Sequence, residues 1–297
     1  MSEVKKIKIL VLGADGMLGH KFVECLMNRH QVKGTVRRKE PETNREIGYN
    51  ESRHLMYGIN ADNYRSIERV MTNFKPNFVI NCIGLTKSLC NDSSRRDAIY
   101  LNSLFPHLLL ASCQNIDAKL IQFSSDCVFT GESGKYKEDS IADANDLYGA
   151  SKALGEVFSD DCLTIRKSTI GLELNTNHGL IEWFLRAKGS IKGYSNAIYS
   201  GLTSAELVKV VEFIMCRKDF ISGLIHIASA PISKYSLLKK LSNILDRQDI
   251  EIIEDKHFIC DRSLDGSKFF EKTQYEIPSW NNMLHDLAKE IKARGFN

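Results

Sequence analysis

Near its start the chain carries an apolar strand closed by glycines at a fixed spacing, and few sequence features restrict a fold more tightly. Ile7, Ile9, Leu10, Val11 and Leu12 form an almost unbroken apolar run, the pattern of a parallel strand covered on both faces. The run stops at Gly13. Gly16 and Gly19 follow, and an amphipathic stretch then carries Leu18, Phe22, Val23, Leu26 and Met27. In such a strand–turn–helix unit the first glycine permits the tight turn and the second lets a pyrophosphate approach the backbone. The third lets the helix lie close on the sheet. Asp15, Met17 and Leu18 occupy the same turn, where the helix start offers unpaired N–H groups and a partial positive charge to phosphates. The reading is a dinucleotide-binding turn; a plain glycine turn is the alternative.

Further along, apolar strands and amphipathic helices alternate. Strands are expected at Gln31–Val36, Leu55–Ile59, Phe78–Ile83, Lys119–Ser124 and Cys162–Arg166. Helices are expected at Asn63–Phe74, Arg95–Asn115 (kinked or broken at Pro106) and Asp146–Phe158, with a loop over Glu40–Arg53. This alternation implies an α/β fold with a doubly wound parallel (Rossmann) sheet. The last third is less regular, with helices at Leu180–Ala187, Ser204–Cys216, Tyr235–Leu245 and Trp280–Arg294 and short strands near Leu224–Ile227 and Glu251–Ile253. It reads as a smaller C-terminal α/β substrate-binding region capping the carboxyl edge of the sheet. The expected division is residues 1–171 for the dinucleotide-binding domain and 172–297 for the substrate region, with 203–228 returning to the first.

Composition narrows the function classes. A net charge of +3, spread along the chain, argues against nucleic-acid or membrane partners. There is no apolar run of spanning length, and MSEVKKIKIL enters a strand with no signal-peptide architecture, so a cytoplasmic location is expected. The 8 cysteines show no metal spacing and are expected to be reduced core residues. The 8 histidines form no HxH or HExxH pattern, so no metal site is expected, and His107 reads as a satisfied structural histidine.

Chemistry gathers at the strand ends. Arg37 and Arg38 close the second strand, where a carboxylate would suit NAD and a cation suits the 2′-phosphate of NADP. The cofactor expected is therefore NADP(H), with NAD(H) as the second candidate. Asp62 starts the helix after the third strand. Asn81, Cys82 and Gly84 run off the fourth, where backbone lines a bound dinucleotide. The fifth strand delivers Ser124, Ser125 and Asp126. Tyr148 and Lys152 then stand one turn apart on the following helix, on one face. In that order Lys152 would lower the tyrosine pKa and hold the nicotinamide ribose, Tyr148 would pass a proton to a carbonyl oxygen, and Ser125 would donate to that oxygen.

Together, Gly13-x-x-Gly16-x-x-Gly19, Ser125, Tyr148 and Lys152 resemble the extended short-chain dehydrogenase/reductase superfamily. Within it, SSDCVFTGESGKYKEDS (Ser124–Ser140) and DLYGASKALGE (Asp146–Glu156) look like dTDP-4-dehydrorhamnose reductase and its sugar-nucleotide relatives. The resemblance implies reduction of a 4-keto group on a nucleotide-activated 6-deoxy sugar in surface-polysaccharide precursor biosynthesis. The family's catalytic hydroxyl, usually threonine, falls on Ser125. Dehydratases of the superfamily carry Asp-Glu where this chain has Asp126-Cys127, so the glutamate for water elimination is missing. GDP-fucose synthase has an acid/base cysteine at the place of Cys127, which leaves an epimerising step open beside a packing role.

IGLTKSLCND (Ile83–Asp92) departs from the rhamnose enzymes at a loop near the sugar, which brings Thr86 and Lys87 in as substrate candidates with Asp126, Cys127 and Val128. DRSLDGSKF and IPSWNNML resemble a subgroup acting on UDP-linked 2-acetamido-2,6-dideoxy-hexuloses. Arg262 is the candidate phosphate fork, its alternative being an ion pair with Asp261 or Asp265. Trp183, Tyr194 and Tyr199 either stack on a base or sugar or belong to the core. Arg166 reads as structural. The regulatory subunit of methionine adenosyltransferase, similar to these reductases, keeps a non-catalytic binding reading open. Helices Arg95–Asn115 and Asp146–Phe158 leave two readings open, a homodimer paired through them as in many relatives, or apolar faces satisfied within the monomer.

Overall fold

The computed structural model describes residues 6–40, 51–174 and 176–296. The chain alternates β1 (Lys8–Leu12), α1 (Met17–Leu26), β2 (Gln31–Thr35), α2 (Glu51–His54), β3 (Leu55–Met56), α3 (Tyr64–Phe74) and β4 (Phe78–Asn81). It continues through α4 (Arg95–Ala98), a π-helical segment (Ile99–Leu104), α5 (Phe105–Gln114), β5 (Lys119–Phe123), α6 (Leu147–Leu154) and β6 (Cys162–Arg166). Then come β7 (Thr169–Ile170), α7 (Leu180–Arg186), β8 (Gly189–Tyr194), β9 (Ala197–Tyr199), β10 (Leu202–Thr203), α8 (Ser204–Met215) and β11 (Gly223–His226). The last elements are β12 (Ile232–Ser233), α9 (Lys234–Leu245), β13 (Ile250–Asp255), β14 (Cys260–Asp261), α10 (Ser267–Thr273) and α11 (Trp280–Ala293).

Seven strands form one parallel sheet in the order β11-β6-β5-β4-β1-β2-β3. The apolar run of β1 is buried on both faces, which is why it shows no alternation. Ile9 and Val11 join Phe22, Val23 and Leu26 of α1 with Val208 and Val211 of α8 and Leu287 and Ile291 of α11. Leu10 and Leu12 face Ile67 and Met71 of α3 and Phe105 and Leu109 of α5. Because β1 lies between β2 and β4, the strand order reverses at its carboxyl end, and a crevice opens there.

Several elements differ from the sequence reading. The expected long helix Arg95–Asn115 is helical throughout, without a break at Pro106. Instead it widens into a π turn over Ile99–Leu104, and Pro106, which has no N–H to donate, follows directly on that widened turn. The carbonyl of Asn102 in that turn faces Gly155, where a Cβ would come within 1.7 Å of it. This close crossing ends α6 at Leu154, short of the expected Phe158. The strands expected to reach Ile59, Ile83 and Ser124 end at Met56, Asn81 and Phe123. Of the loop expected over Glu40–Arg53, residues 41–50 lie outside the described residues, and Glu51–His54 forms α2.

The last third holds more sheet than its sequence suggests. β10 pairs with β7, β13 with β8, and β9 is flanked by β12 and β14. The two- and three-residue strands carry no readable periodicity, and the six-residue β8 (GSIKGY) has two glycines and a single aliphatic side chain, which is why they escape a pattern search. The segment α8–β11 returns to the large sheet, with β11 beside β6.

Candidate active site

The glycine turn separates its three positions cleanly. Gly13 has φ +79°, and its own carbonyl would lie 2.1 Å from a Cβ on Gly19. These two glycines are demanded by the turn and by the seating of α1. Gly16 is exposed, in ordinary extended backbone (φ −79°), and a Cβ there would meet only the Gly13 carbonyl, at 3.4 Å. No protein atom requires a glycine there, so the bare backbone faces outward. α1 begins at Gly16 with no side-chain cap and no acid in its first turn, which leaves N–H donors for an anion. The turn therefore fits the diphosphate of a dinucleotide, with Met17 and Leu18 half-buried beside it.

Arg37 and Arg38 part company at the end of β2. Arg37 is exposed. Arg38 lies over the Tyr57 ring at 5.1 Å from its centroid, and its Nε stands 3.3 Å from each carboxylate oxygen of Asp15. A guanidinium thus rests against the glycine turn, held by an aromatic face and a carboxylate. Asp62 is exposed in a turn with Asn60 at the start of α3. Asn81 does not present its side chain to the crevice: it donates to Gln122 at 2.7 Å and accepts from the N–H of Ile83 at 3.1 Å. Burial pushes the Cys82 thiol up to about 12. Gly84 passes under Asn102, where a Cβ would be 3.0 Å from its Oδ1 and 3.9 Å from Lys152 Nζ.

Ser125, Tyr148 and Lys152 meet at the carboxyl ends of β5 and β6. Asp146 caps α6, accepting from the Gly149 N–H at 2.8 Å, and so fixes the turn that carries Tyr148. The Ser125 hydroxyl donates to Asp126 Oδ1 and accepts from the Cys127 N–H, both at 3.1 Å. Burial raises the Tyr148 phenol, the Cys127 sulfur adds to the rise, and the Ser125 hydroxyl opposes it. Tyr148 is thereby kept as an acid, the opposite of the lowering expected from Lys152, because desolvation outweighs the neighbouring groups and Lys152 is not among them. Lys152 is buried, donates to the Phe123 carbonyl at 2.6 Å, and is lowered to about 8, first by desolvation and then by Lys167.

A buried ionic layer supports this group. Glu156, one turn past Lys152, takes both Arg166 Nε and Nη2 at 2.7 Å and accepts from the Ser124 hydroxyl at 2.7 Å. Arg166 also reaches His226 at 3.3 Å and lies over the Phe129 ring at 5.0 Å. Arg166 is structural, as its position suggested. Glu156 was legible in principle, since it continues the Tyr148–Lys152 face. Asn102 gave no such signal: fully buried, it brackets Leu85 by accepting from its N–H at 2.9 Å and donating to its carbonyl at 3.2 Å.

The substrate candidates divide. Asp126 is buried and shifted upward by desolvation, against the Ser125 hydrogen bond and the Arg262 charge. Cys127 is pushed up to about 11, chiefly by burial and then by Asp126, and its Sγ stands 3.8 Å from Arg262 Nη1. Arg262 forms no ion pair with Asp261 or Asp265; its Nε donates to the Phe129 carbonyl at 2.8 Å. It lines a cleft of about 470 Å³ with Thr130, Gly131, Glu132, Asn145, Asp146 and Ile259. Lys87 reaches Asp146 at 2.7 Å, and Thr86 is exposed beside it.

Val128 is not available to a ligand: it is fully buried against Phe129, Tyr136 and Leu264. Tyr199 is a core aromatic set edge-on to Trp280 at 5.6 Å, and Tyr194 packs on Phe258 at 5.2 Å. Trp183 is 41% exposed on α7, so it is not a core residue. His107 donates to the Leu154 carbonyl at 2.9 Å, and all 8 cysteines are free. Among the described residues no helix is long and apolar enough to cross a membrane.

Comparison with known proteins bears on this arrangement. The family model described as the RmlD substrate binding domain matches residues 7–170, more than half of the chain. The chain belongs to this family. The matched span runs from β1 through the glycine turn, Ser125, Tyr148 and Lys152 to β7. The dTDP-4-dehydrorhamnose reductase of Aggregatibacter actinomycetemcomitans is 24% identical over 236 residues, 75% of this chain and 74% of that protein. Methionine adenosyltransferase 2 subunit beta of Xenopus tropicalis is 29% identical over 150 residues, 50% of this chain and 41% of its own length. The chain therefore spans less than half of that relative. The solved dTDP-4-dehydrorhamnose reductase of Bacillus anthracis, in complex with NADP, superposes with a TM-score of 0.75 at 18% identity, covering 96% of this chain and 99% of that one. The RmlD family member thus shares the whole fold of that reductase.

Proposed function

We propose that this RmlD-family chain is an NADPH-dependent ketoreductase acting on the 4-keto group of a nucleotide-activated 6-deoxy sugar. The observation that carries the proposal is the meeting of Ser125, Tyr148 and Lys152 at one edge of β5 and β6, beside a glycine turn whose middle glycine no protein atom requires. A bound reduced nicotinamide supplies the hydride. Tyr148, kept protonated by burial, gives the proton to the carbonyl oxygen as the alcohol forms. Ser125 turns its one O–H from Asp126 Oδ1 to that oxygen, and the Cys127 N–H at 3.1 Å from its Oγ holds the hydroxyl in place. Lys152, anchored on the Phe123 carbonyl, fixes the ribose. Arg38, braced on Tyr57 and Asp15, favours the 2′-phosphate of NADP over the bare ribose of NAD. Arg262, with Nε tied to Phe129, turns the rest of its fork into the cleft beside Cys127, where a nucleotide diphosphate would lie. The exposed apolar side chains Ile99, Leu104 and Leu154 support a homodimer through the helical segments that bear them.

Loss of NADPH absorbance with UDP-2-acetamido-2,6-dideoxy-hexulose or dTDP-4-dehydrorhamnose, each made in situ, tests the reading. Turnover with either, abolished in Tyr148→Phe with NADPH binding intact, is the expected result. Near-normal turnover of Tyr148→Phe refutes the assignment. The match to the methionine adenosyltransferase subunit supports a second reading, a nucleotide-binding partner subunit. It predicts tight NADPH binding with no oxidation by any keto-sugar. The epimerising alternative needs a base at Cys127, and a thiol held near 11 is a poor one at neutral pH.

A further inference from the structure

The chemistry above leaves one cation unused. Lys167 follows β6 directly, and its carbonyl accepts from the Asp126 N–H at 3.2 Å, which sets it abreast of the Ser125 turn. Its ammonium lies 5.6 Å from the centroid of the Phe123 ring, the residue whose carbonyl holds Lys152. Two ammonium groups therefore converge on the end of β5. The charged and titratable groups around Lys167 are Asp126 at the end of β5, Cys82 at the end of β4, Cys127 in the following turn and Lys152 on α6. Among the described residues its Nζ has neither a hydrogen-bond acceptor nor an ion-pair partner within contact distance. Lys167 is half-buried, and an ammonium whose donors meet no protein acceptor is placed to donate to a ligand.

The sheet order says which part of a ligand arrives there. A dinucleotide crosses the carboxyl ends of the strands where their order reverses. Arg38 marks the adenosine side at β2 and the glycine turn marks the diphosphate after β1. The nicotinamide half is then led over β4 and β5 toward β6, where Lys167 stands. We propose that Lys167 makes the site prefer reduced over oxidised cofactor: its ammonium donates to the nicotinamide carboxamide oxygen and repels the positive charge that only the oxidised ring carries. This rests on the reading that the chain binds a nicotinamide dinucleotide. It gives the protein a preference for loading the reduced cofactor and for releasing the oxidised one once the hydride has left. Burial lowers the pKa of Lys167 and the Asp126 carboxylate opposes that shift, so Asp126 helps it keep its charge.

The test is equilibrium binding of NADP⁺ and NADPH to the full chain, without sugar substrate, for wild type, Lys167→Met, Lys167→Gln and Lys167→Arg. Wild type should bind NADPH more tightly than NADP⁺. The two neutral variants should shrink the ratio of the two dissociation constants by roughly tenfold, the effect of about one pKa unit of charge interaction. Lys167→Arg should keep the ratio within about twofold of wild type, since it retains the charge. An unchanged ratio in both neutral variants, with both cofactors still binding, overturns the inference while leaving the reductase reading in place. Failure of wild type to bind either cofactor overturns both.

Discussion

Lys152 Nζ donates to the carbonyl oxygen of Phe123 at 2.6 Å, inside a pocket that lowers its pKa to about 8. Because the catalytic role proposed for Lys152 needs its charge, kcat/KM for ketone reduction should fall as pH rises through about 8. Stability should move the other way. The folded pKa lies below the unfolded value of 10.5, so the unfolded chain binds more protons across this window, and this group makes unfolding harder as pH rises from about 8 to 10.5. Denaturant titrations across that window should show the rise in wild type and lose it in Lys152→Met. A Lys152→Met protein with the wild-type slope would disprove the placement.

Glu156 is the counter-charge that keeps Arg166 in the core, at 2.7 Å through two nitrogens. Glu156→Ala leaves that guanidinium buried and unpaired and should cost about 3–5 kcal/mol of stability in urea unfolding. The same change frees the Ser124 hydroxyl, so turnover per folded molecule should drop as well. A loss below about 1 kcal/mol would mean that water or another carboxylate replaces Glu156.

Gly16 and Gly19 should respond differently to one added methyl group. Gly19→Ala drives a Cβ to 2.1 Å from the Gly13 carbonyl, so the backbone must shift, and a cost of about 1–3 kcal/mol is expected. Gly16→Ala meets only a 3.4 Å contact and should change stability by no more than about 0.5 kcal/mol. Both should weaken dinucleotide binding in titration calorimetry. Full binding by Gly16→Ala would place the diphosphate elsewhere.

Arg38 rather than Arg37 should set the cofactor choice. Arg38→Gln is expected to weaken NADPH binding by about tenfold or more, the value of a charge-assisted hydrogen bond, while leaving NADH nearly unchanged. Arg37→Gln, altering an exposed side chain, should leave the NADPH/NADH ratio within about twofold. Equal effects of the two variants would argue against Arg38 as the reader of the 2′-phosphate.

What could be read before any coordinates was local. The apolar run Ile7–Leu12 declares a strand buried on both faces, the glycine spacing declares the turn after it, and the four-residue step from Tyr148 to Lys152 declares a shared helix face. Each depends on residues a few positions apart, where backbone sterics and the helical period set the outcome. Even there the boundaries moved, because Gly155 ends α6 against the Asn102 carbonyl, a contact between helices.

Tertiary structure decided everything that joins distant segments. Arg262 reaches Cys127 across 135 residues, and only the folding of β14 against β9 brings it there. Val128 looked like pocket wall, yet it fills a small core with Leu264. Lys167 carries no sequence motif of its own, and only in the fold does it stand beside the Ser125 turn with a second ammonium across from it. Periodicity records which face of an element is buried, but not which element covers it. The strand pairings and helix crossings that choose the neighbours therefore decided which of these polar side chains became a site.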